Sequence, residues 1–177
     1  MDNLVKIGNY KSFIQNDWIT FMENNDGDRY PKDLHINPEN NHVFKGFNTD
    51  SVICIGYGPH NFPFDVELPI LDDNIYYEYS FIKLEPGMVT PLHMDHPSYG
   101  RKYRGNKPLE DKNINRYWLS LKDYEPGHYF IMNDKILTNY IKGDVFKFKK
   151  ECVWHGAANI GSTCRLAMSI ITWSEND

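Results

Sequence analysis

The stretch Tyr76–His93, YYEYSFIKLEPGMVTPLH, decides the fold. Its first half is aromatic and β-branched, with no glycine or proline to break an extended chain. That composition predicts a long strand from Tyr76 to Leu84. Pro86-Gly87 then marks a turn, and a short strand follows toward Leu92 and His93. The same alternation of short apolar runs and turn residues continues downstream. Strands are predicted at Arg116–Leu121, Tyr129–Met132, Lys135–Tyr140, Val145–Phe148 and Arg165–Trp173, with Gly127, Asn133-Asp134, Gly143-Asp144 and Gly161 as the turns between them. Upstream, Ser51–Gly56 is one more β-branched run. Only near the front does the period change: Phe13, Ile14, Trp18, Phe21 and Met22 recur at helical spacing, and the acidic, Asn-rich run from Asn24 to Asp28 stops them. Residues 31–50 read as polar and irregular. Many short strands with helix only at the front predict a mainly β fold, an all-β barrel or double-sheet jelly roll. The expectation is one domain over residues 1–177, with residues 1–50 as an N-terminal helical cap and residues 51–177 as the β core.

The bulk numbers agree with a single domain. The chain has 177 residues, 41% hydrophobic and 15% aromatic, enough to build a core and line a pocket with rings. A net charge of -5 shows no basic footprint, so nucleic acid is not an expected partner. No window approaches a membrane span, and the N-terminus does not read as a signal peptide. Cys54, Cys152 and Cys164 are odd in number and form no CxxC pair, so each reads as core filler in a reducing compartment. Together these features predict a soluble cytoplasmic protein with no membrane partner.

Chemistry is concentrated in two segments, LEPGMVTPLHMDHPS and KKECVWHGAANIGSTCRLAMSI. His93 and Asp95 form an HxD pair at a strand end, and period-two alternation puts both side chains on one side. His155 lies on the approach to the last strand. Two imidazoles and one carboxylate on one face of an octahedron leave open positions, the geometry of non-heme Fe(II) sites. Arg165 follows ten residues after His155 and shares a strand face with Ala167 and Ser169. A guanidinium beside a small-residue face suits a carboxylate ligand. An HxD pair alone has many structural uses, and an arginine alone is as often a salt-bridge partner; the ordered combination is what carries weight.

That ordered set, GMVTPLHMDH, RYWLSL, GDVFKF and WHGAANIGSTCR, resembles the 2-oxoglutarate and Fe(II)-dependent oxygenases. The nearest patterns are those of the aspartyl/asparaginyl β-hydroxylase-like and prolyl-hydroxylase-like branches. The resemblance spans about Tyr76 to Trp173. It implies a double-stranded β-helix core, a form of jelly roll related to the cupins. It implies Fe(II) on His93, Asp95 and His155, with 2-oxoglutarate and O2 as small-molecule co-substrates, succinate and CO2 as co-products, and ascorbate as a supporting reductant. Arg165 matches the residue that pairs with the distal carboxylate of 2-oxoglutarate. Arg116 matches an arginine on the co-substrate side of the pocket, although Trp118 stands where that branch has a histidine. The implied reaction is hydroxylation of a prolyl or aspartyl/asparaginyl residue in a peptide, or of a free amino acid. Two other readings stay open: a cupin-type metalloenzyme that does not use 2-oxoglutarate, and a non-catalytic metal-binding module.

Among the remaining residues, Tyr77, Tyr79 and Phe81 share one strand face. If that face points inward, Tyr79 reaches a co-substrate carboxylate. Asn159 is expected to fix the turn before the last strand. His96 and His128 read as surface histidines, and His35, His42 and His60 have no ligand spacing to one another. Trp118, Trp154 and Trp173 read as core. Residues 97–115 form a long loop rich in Gly, Pro and charge, leaving the HxD pair as a lid over the pocket mouth.

Overall fold

The computed structural model describes residues 4–30, 54–58, 61–68, 76–93, 114–149 and 153–173. In chain order its elements are β1 (Leu4–Asn9), a short 3-10 turn, helix α1 (Asn16–Asn24), β2 (Asp28–Tyr30), β3 (Cys54–Tyr57), β4 (Tyr76–Leu84), β5 (Val89–His93), β6 (Asn115–Ser120), β7 (His128–Met132), β8 (Lys135–Leu137), β9 (Asp144–Phe148), β10 (His155–Asn159) and β11 (Arg165–Trp173). They form two antiparallel sheets. The larger runs β1-β9-β6-β11-β4-β3-β2 and the smaller β5-β10-β7-β8. Two such sheets facing each other make the mainly β, jelly-roll architecture that the strand spacing predicts.

The long strands predicted at 76–84 and 165–173 pair along their whole lengths, from Arg165↔Leu84 to Trp173↔Tyr76. They form the centre of the larger sheet, and their alternation gives it two different faces. One face carries Phe81, Leu119, Leu166, Met168 and Ile170. It packs against Trp18 and Met22 of α1 and against Phe62, Val66 and Leu68. Trp18 meets Phe81 edge-on at 5.6 Å, and Phe62 stacks on Phe81 at 4.0 Å. A ring this well buried contributes about 3–5 kcal/mol against truncation to alanine. The other face carries Trp118, Phe146 and Ala167. It looks into the barrel, toward Phe130, Met132 and Leu137 of the smaller sheet.

Helix α1 docks through a buried polar contact as well as apolar packing. A helix leaves its last carbonyls without intrahelical donors. Lys83, 2% exposed at its side chain, donates to the carbonyl of Asn25 at 3.0 Å and pairs with Glu85 at 3.4 Å. The Tyr57 hydroxyl donates to the carbonyls of Asn25 and Met22. Among the described residues, no helix is long and apolar enough to cross a membrane.

Two expectations from the sequence change. The segment read as a helical cap contributes strands too: β1 adds to the edge of the larger sheet beside β9, and β2 adds to the opposite edge beside β3. Edge strands are largely exposed, so β1 lacks the apolar alternation that marks a strand in sequence. Trp154, read as core, is 39% exposed, because it alternates with His155 and so takes the other face of its strand.

Candidate metal centre

His93 ends β5 and His155 begins β10, and the two are direct cross-strand partners. Their rings lie 4.4 Å apart between centroids, tilted by 49°. The strands are not in simple register. Between His155 and Ala157 the pairing shifts from His93 to Thr90, one extra residue on the β5 side, which is a bulge. Bulges re-aim a side chain at a site. Gly156 makes room for it: a Cβ there would come within 2.7 Å of the Thr90 carbonyl oxygen.

Both histidines are tied at the same nitrogen. Nδ1 of His93 lies 2.7 Å from the Pro91 carbonyl oxygen, and Nδ1 of His155 lies 2.9 Å from that of Val153. A carbonyl only accepts, so each Nδ1 carries the proton and each Nε2 presents its lone pair. That is how metal-ligating histidines are usually oriented and held in one tautomer. Phe148 packs edge-on against His155 at 5.2 Å, and Phe130 lies 6.3 Å away. The donor set therefore fits a divalent transition metal: two imidazoles in the right tautomer, side by side, walled by rings. Asp95, the expected carboxylate ligand, lies outside the described residues. Within them no group of three or more His, Cys, Asp or Glu residues is assembled.

Arg165 opens β11 with its side chain inside the barrel, 3% exposed. Its guanidinium carbon sits 5.2 Å from the ring centre of Trp118 and 5.9 Å from that of Phe130. These two rings stack on each other at 4.9 Å. Tyr140 packs edge-on against Trp118 at 5.0 Å, and its hydroxyl donates to the His128 carbonyl at 3.2 Å. Asn139, at a left-handed φ of 64°, makes the turn that brings Tyr140 to this place. The Nε and Nη2 atoms of Arg165 are buried and have no hydrogen-bond partner among the described residues. Burial lowers the pKa of this guanidinium, with Tyr140 acting the other way. An unpaired buried cation is costly, roughly several kcal/mol, and Nε with Nη2 is an edge of the fork that holds a carboxylate by two parallel bonds. The site is shaped for an anion, with one ring, Phe130, between it and His155.

The turn that joins the two ends of the site is pinned beneath them. Asn159 donates from Nδ2 to the carbonyls of Leu84 and Thr163, each at 2.8 Å, and accepts from the Gly161 N–H. That is the structural role expected of it. His128 is not on the surface as expected. It is 1% exposed, and its Nε2 bonds the Thr163 carbonyl at 2.9 Å. No local pattern points to this contact, because Thr163 is 35 residues away.

The other sequence-predicted residues separate clearly. Tyr79 pairs in register with Ile170, on the face that packs against α1. It meets Phe81 edge-on at 5.6 Å and stacks on Tyr77 at 6.5 Å. The face shared with Phe81 points out of the barrel, so Tyr79 does not line the Arg165 pocket. Arg116 does lie on the inner face, opposite Ile171. Six residues of β11, about 20 Å of strand, part Ile171 from Arg165, so the two arginines stand at opposite ends of the barrel interior. Trp118, read as core, is core and also the platform under Arg165. Phe130, Tyr140 and Phe148 have no signal in sequence that sets them apart from ordinary aromatic filler. His35, His42, His60, His96, Cys152 and most of the 97–115 loop lie outside the described residues.

No protein-family model matches the chain, and no curated protein does. Solved structures do show a likeness of shape. A cupin domain from Bordetella pertussis Tohama I is 11% identical over 68% of this chain and 94% of its own, with a TM-score of 0.41. A viral collagen prolyl hydroxylase from Paramecium bursaria Chlorella virus-1, in complex with 2-oxoglutarate, is 14% identical over 59% of this chain and 63% of its own, with a TM-score of 0.43. A Pseudomonas putida prolyl-4-hydroxylase is 18% identical over 56% and 52%, with a TM-score of 0.42. The match spans less than two thirds of either hydroxylase. The fold itself, two facing antiparallel sheets with the histidine pair on the smaller and the buried arginine on the larger, is a mainly β jelly roll.

Proposed function

We propose that this protein is an Fe(II)- and 2-oxoglutarate-dependent dioxygenase that hydroxylates an amino acid or an amino-acid residue. The observation that carries the reading is the buried guanidinium of Arg165, whose Nε and Nη2 lack partners inside the same barrel as a histidine pair in ligating tautomers. His93 and His155 would hold the metal, with Asp95, two residues after His93 in sequence, as the carboxylate ligand. Bound there, iron supplies the oxidative chemistry, with succinate and CO2 formed from the co-substrate.

The chain's own residues bind and orient. Arg165 would hold the distal carboxylate of 2-oxoglutarate through its buried Nε and Nη2. The stacked pair Trp118 and Phe130 sets the plane of the guanidinium, and Tyr140 buttresses Trp118 edge-on. Phe130 and Phe148 exclude water from the histidine pair, which strengthens every polar contact made there. The acid-base chemistry needs no general base from the protein, and none of the described residues around the site is assigned that role.

The test is turnover of the purified protein with Fe(II), ascorbate and 2-oxoglutarate in air, measured as succinate, with Asp95→Ala and Arg165→Ala alongside. Iron-dependent succinate lost in both variants supports the reading. Metal-loaded protein with no succinate above the variants turns it over in favour of a cupin metalloenzyme of another kind or a binding module.

A further inference from the structure

His128 is a buried titratable group that the proposed reaction does not use, and it stands beside the anion site. On β7, His128, Phe130 and Met132 alternate with Tyr129 and Ile131 and share the buried face of the strand. The Phe130 ring lies 5.9 Å from the guanidinium carbon of Arg165. His128 is the next residue on that face, about 7 Å along the strand. Its Nε2 lies 2.9 Å from the carbonyl oxygen of Thr163, two residues before Arg165. A carbonyl only accepts, so Nε2 carries the proton of the neutral ring, and a second proton would go to Nδ1. The His128 carbonyl accepts from Tyr140, whose ring packs edge-on against Trp118, the platform under Arg165. Strand neighbour, backbone partner and tyrosine thus tie the imidazole to the surroundings of the guanidinium.

Among the described residues, few charges face this imidazole. From the turn before β7, Glu125 accepts from the Thr163 hydroxyl at 2.6 Å, and that hydroxyl lies 3.2 Å from Nε2. Lys122, on the same turn, is ion-paired with Glu23 at 3.1 Å. Tyr140 brings a neutral hydroxyl from the segment before β9. Arg165 brings a buried positive charge from β11. Burial is the main force that lowers the pKa of His128; the bond to Thr163 and the Glu125 carboxylate oppose it, and the charges of Arg165 and Lys122 add to the lowering. Inside a protein such charges are weakly screened. While Arg165 stands without an anion, its charge opposes a second cation at His128. A carboxylate on Nε and Nη2 of Arg165 cancels that opposition. By linkage the effect is reciprocal: whatever the anion does for the proton, the proton does for the anion.

We propose that His128 is a positioning residue of the anion site: a carboxylate bound at Arg165 draws a proton onto His128, and the protonated ring tightens the hold on that carboxylate as the medium becomes more acidic. This role rests on the oxygenase reading, in which Arg165 seats the distal carboxylate of the co-substrate, and it makes that binding proton-linked.

The experiment is titration calorimetry on the full chain loaded with Zn(II), which occupies the histidine pair without changing oxidation state. Two probes are used: 2-oxoglutarate, and glutarate, which has both carboxylates but no keto oxygen to chelate a metal. Each is titrated at about pH 6.5, the ordinary histidine value, in buffers of different ionisation heat, so that the buffer dependence counts the protons taken up. The unaltered protein is expected to take up part of a proton with either probe, and to gain about 5-fold or more in affinity across the histidine titration. His128→Gln, shown folded by its thermal transition, is expected to bind both probes without that uptake or that gain. A purely structural histidine would instead weaken binding alike at every pH and leave the uptake in place. Arg165→Met is expected to lose glutarate binding. As a measurement free of variants, the His128 ring nitrogens are followed by NMR in the unaltered protein, and their titration midpoint is expected to move to higher pH when glutarate is added. Binding with no proton uptake overturns the proposal, as does uptake that persists in His128→Gln, a midpoint that glutarate leaves in place, or failure of both probes to bind. 2-Oxoglutarate that binds no tighter than glutarate sinks the oxygenase reading separately, since the proton count with glutarate still decides the role of His128.

Discussion

A methyl group added to Gly156 would lie 2.7 Å from the carbonyl oxygen of Thr90, on the neighbouring strand. These two residues flank the bulge that sets His93 against His155. Glycine is required here by close approach of backbone, not by a left-handed turn. Gly156→Ala must push β5 off β10 at the point where the histidines meet. The expected result is a 10- to 100-fold loss of divalent metal affinity, the size usual when the support of metal ligands is disturbed, with roughly 1–3 kcal/mol of lost stability from overpacking. Metal titration with Co(II) or Zn(II) reads the first and urea unfolding the second. A variant that binds metal as the unaltered protein does would show that the bulge has no part in placing the pair.

Arg165 sets stability against binding. Its guanidinium is buried with two nitrogens unpartnered among the described residues and only the Trp118 and Phe130 rings against it, so replacing it by an apolar side chain of similar length removes an incompletely compensated charge. Arg165→Met is expected to stabilise the protein by about 1–4 kcal/mol without co-substrate and to abolish the thermal shift that 2-oxoglutarate gives the unaltered protein. Denaturant unfolding and melting with and without 2-oxoglutarate measure both. If the Met variant is less stable and still responds to 2-oxoglutarate, the arginine is a structural residue and not an anion site.

Lys83 and Tyr57 act on the far face of the sheet. Between them they satisfy the last carbonyls of α1, and burial pushes the Tyr57 hydroxyl up to about 12. Lys83→Met leaves the Asn25 carbonyl with one donor fewer inside the protein. A loss of about 1–3 kcal/mol is expected, with 2-oxoglutarate affinity retained because the barrel interior is on the opposite face. Protection of the α1 amides in hydrogen exchange should fall with it. Unchanged protection would show that apolar packing alone holds the helix.

His128 makes stability depend on pH in a stated direction. Burial holds its pKa below the ordinary 6.5, although the bond to Thr163 works the other way. A folded pKa below the unfolded one means the unfolded chain takes up the proton first. The stability contributed is present above about pH 6.5 and is lost as pH falls through the lower, folded value. Thermal transitions measured from pH 7.5 down to pH 5 should therefore fall more steeply for the unaltered protein than for His128→Gln. Parallel curves would remove His128 as the source.

Short-range rules suffice for one part of the molecule. The run from Tyr76 to Leu84 and the run from Arg165 to Trp173 are strands because β-branched and aromatic residues favour extended chain, and both are legible in the amino-acid order alone. Period-two alternation puts Arg165 on one face with Ala167 and Ser169, and the order His93, His155, Arg165 points to a metal beside an anion pocket. Which face of each strand is the inside depends instead on how the whole chain closes. Alternation says that Tyr79 and Phe81 share a face; it cannot say that α1 covers that face, because the helix is docked by residues more than 50 positions away, such as Lys83 on the carbonyl of Asn25. The same holds for the partners of Arg165. Trp118, Phe130 and Tyr140 converge on it from three different strands and turns, a meeting set by sheet register and closure of the barrel rather than by any local pattern. Edge strands β1 and β2 escape sequence reading for a related reason: a strand bonded on one side only has little apolar face to reveal it.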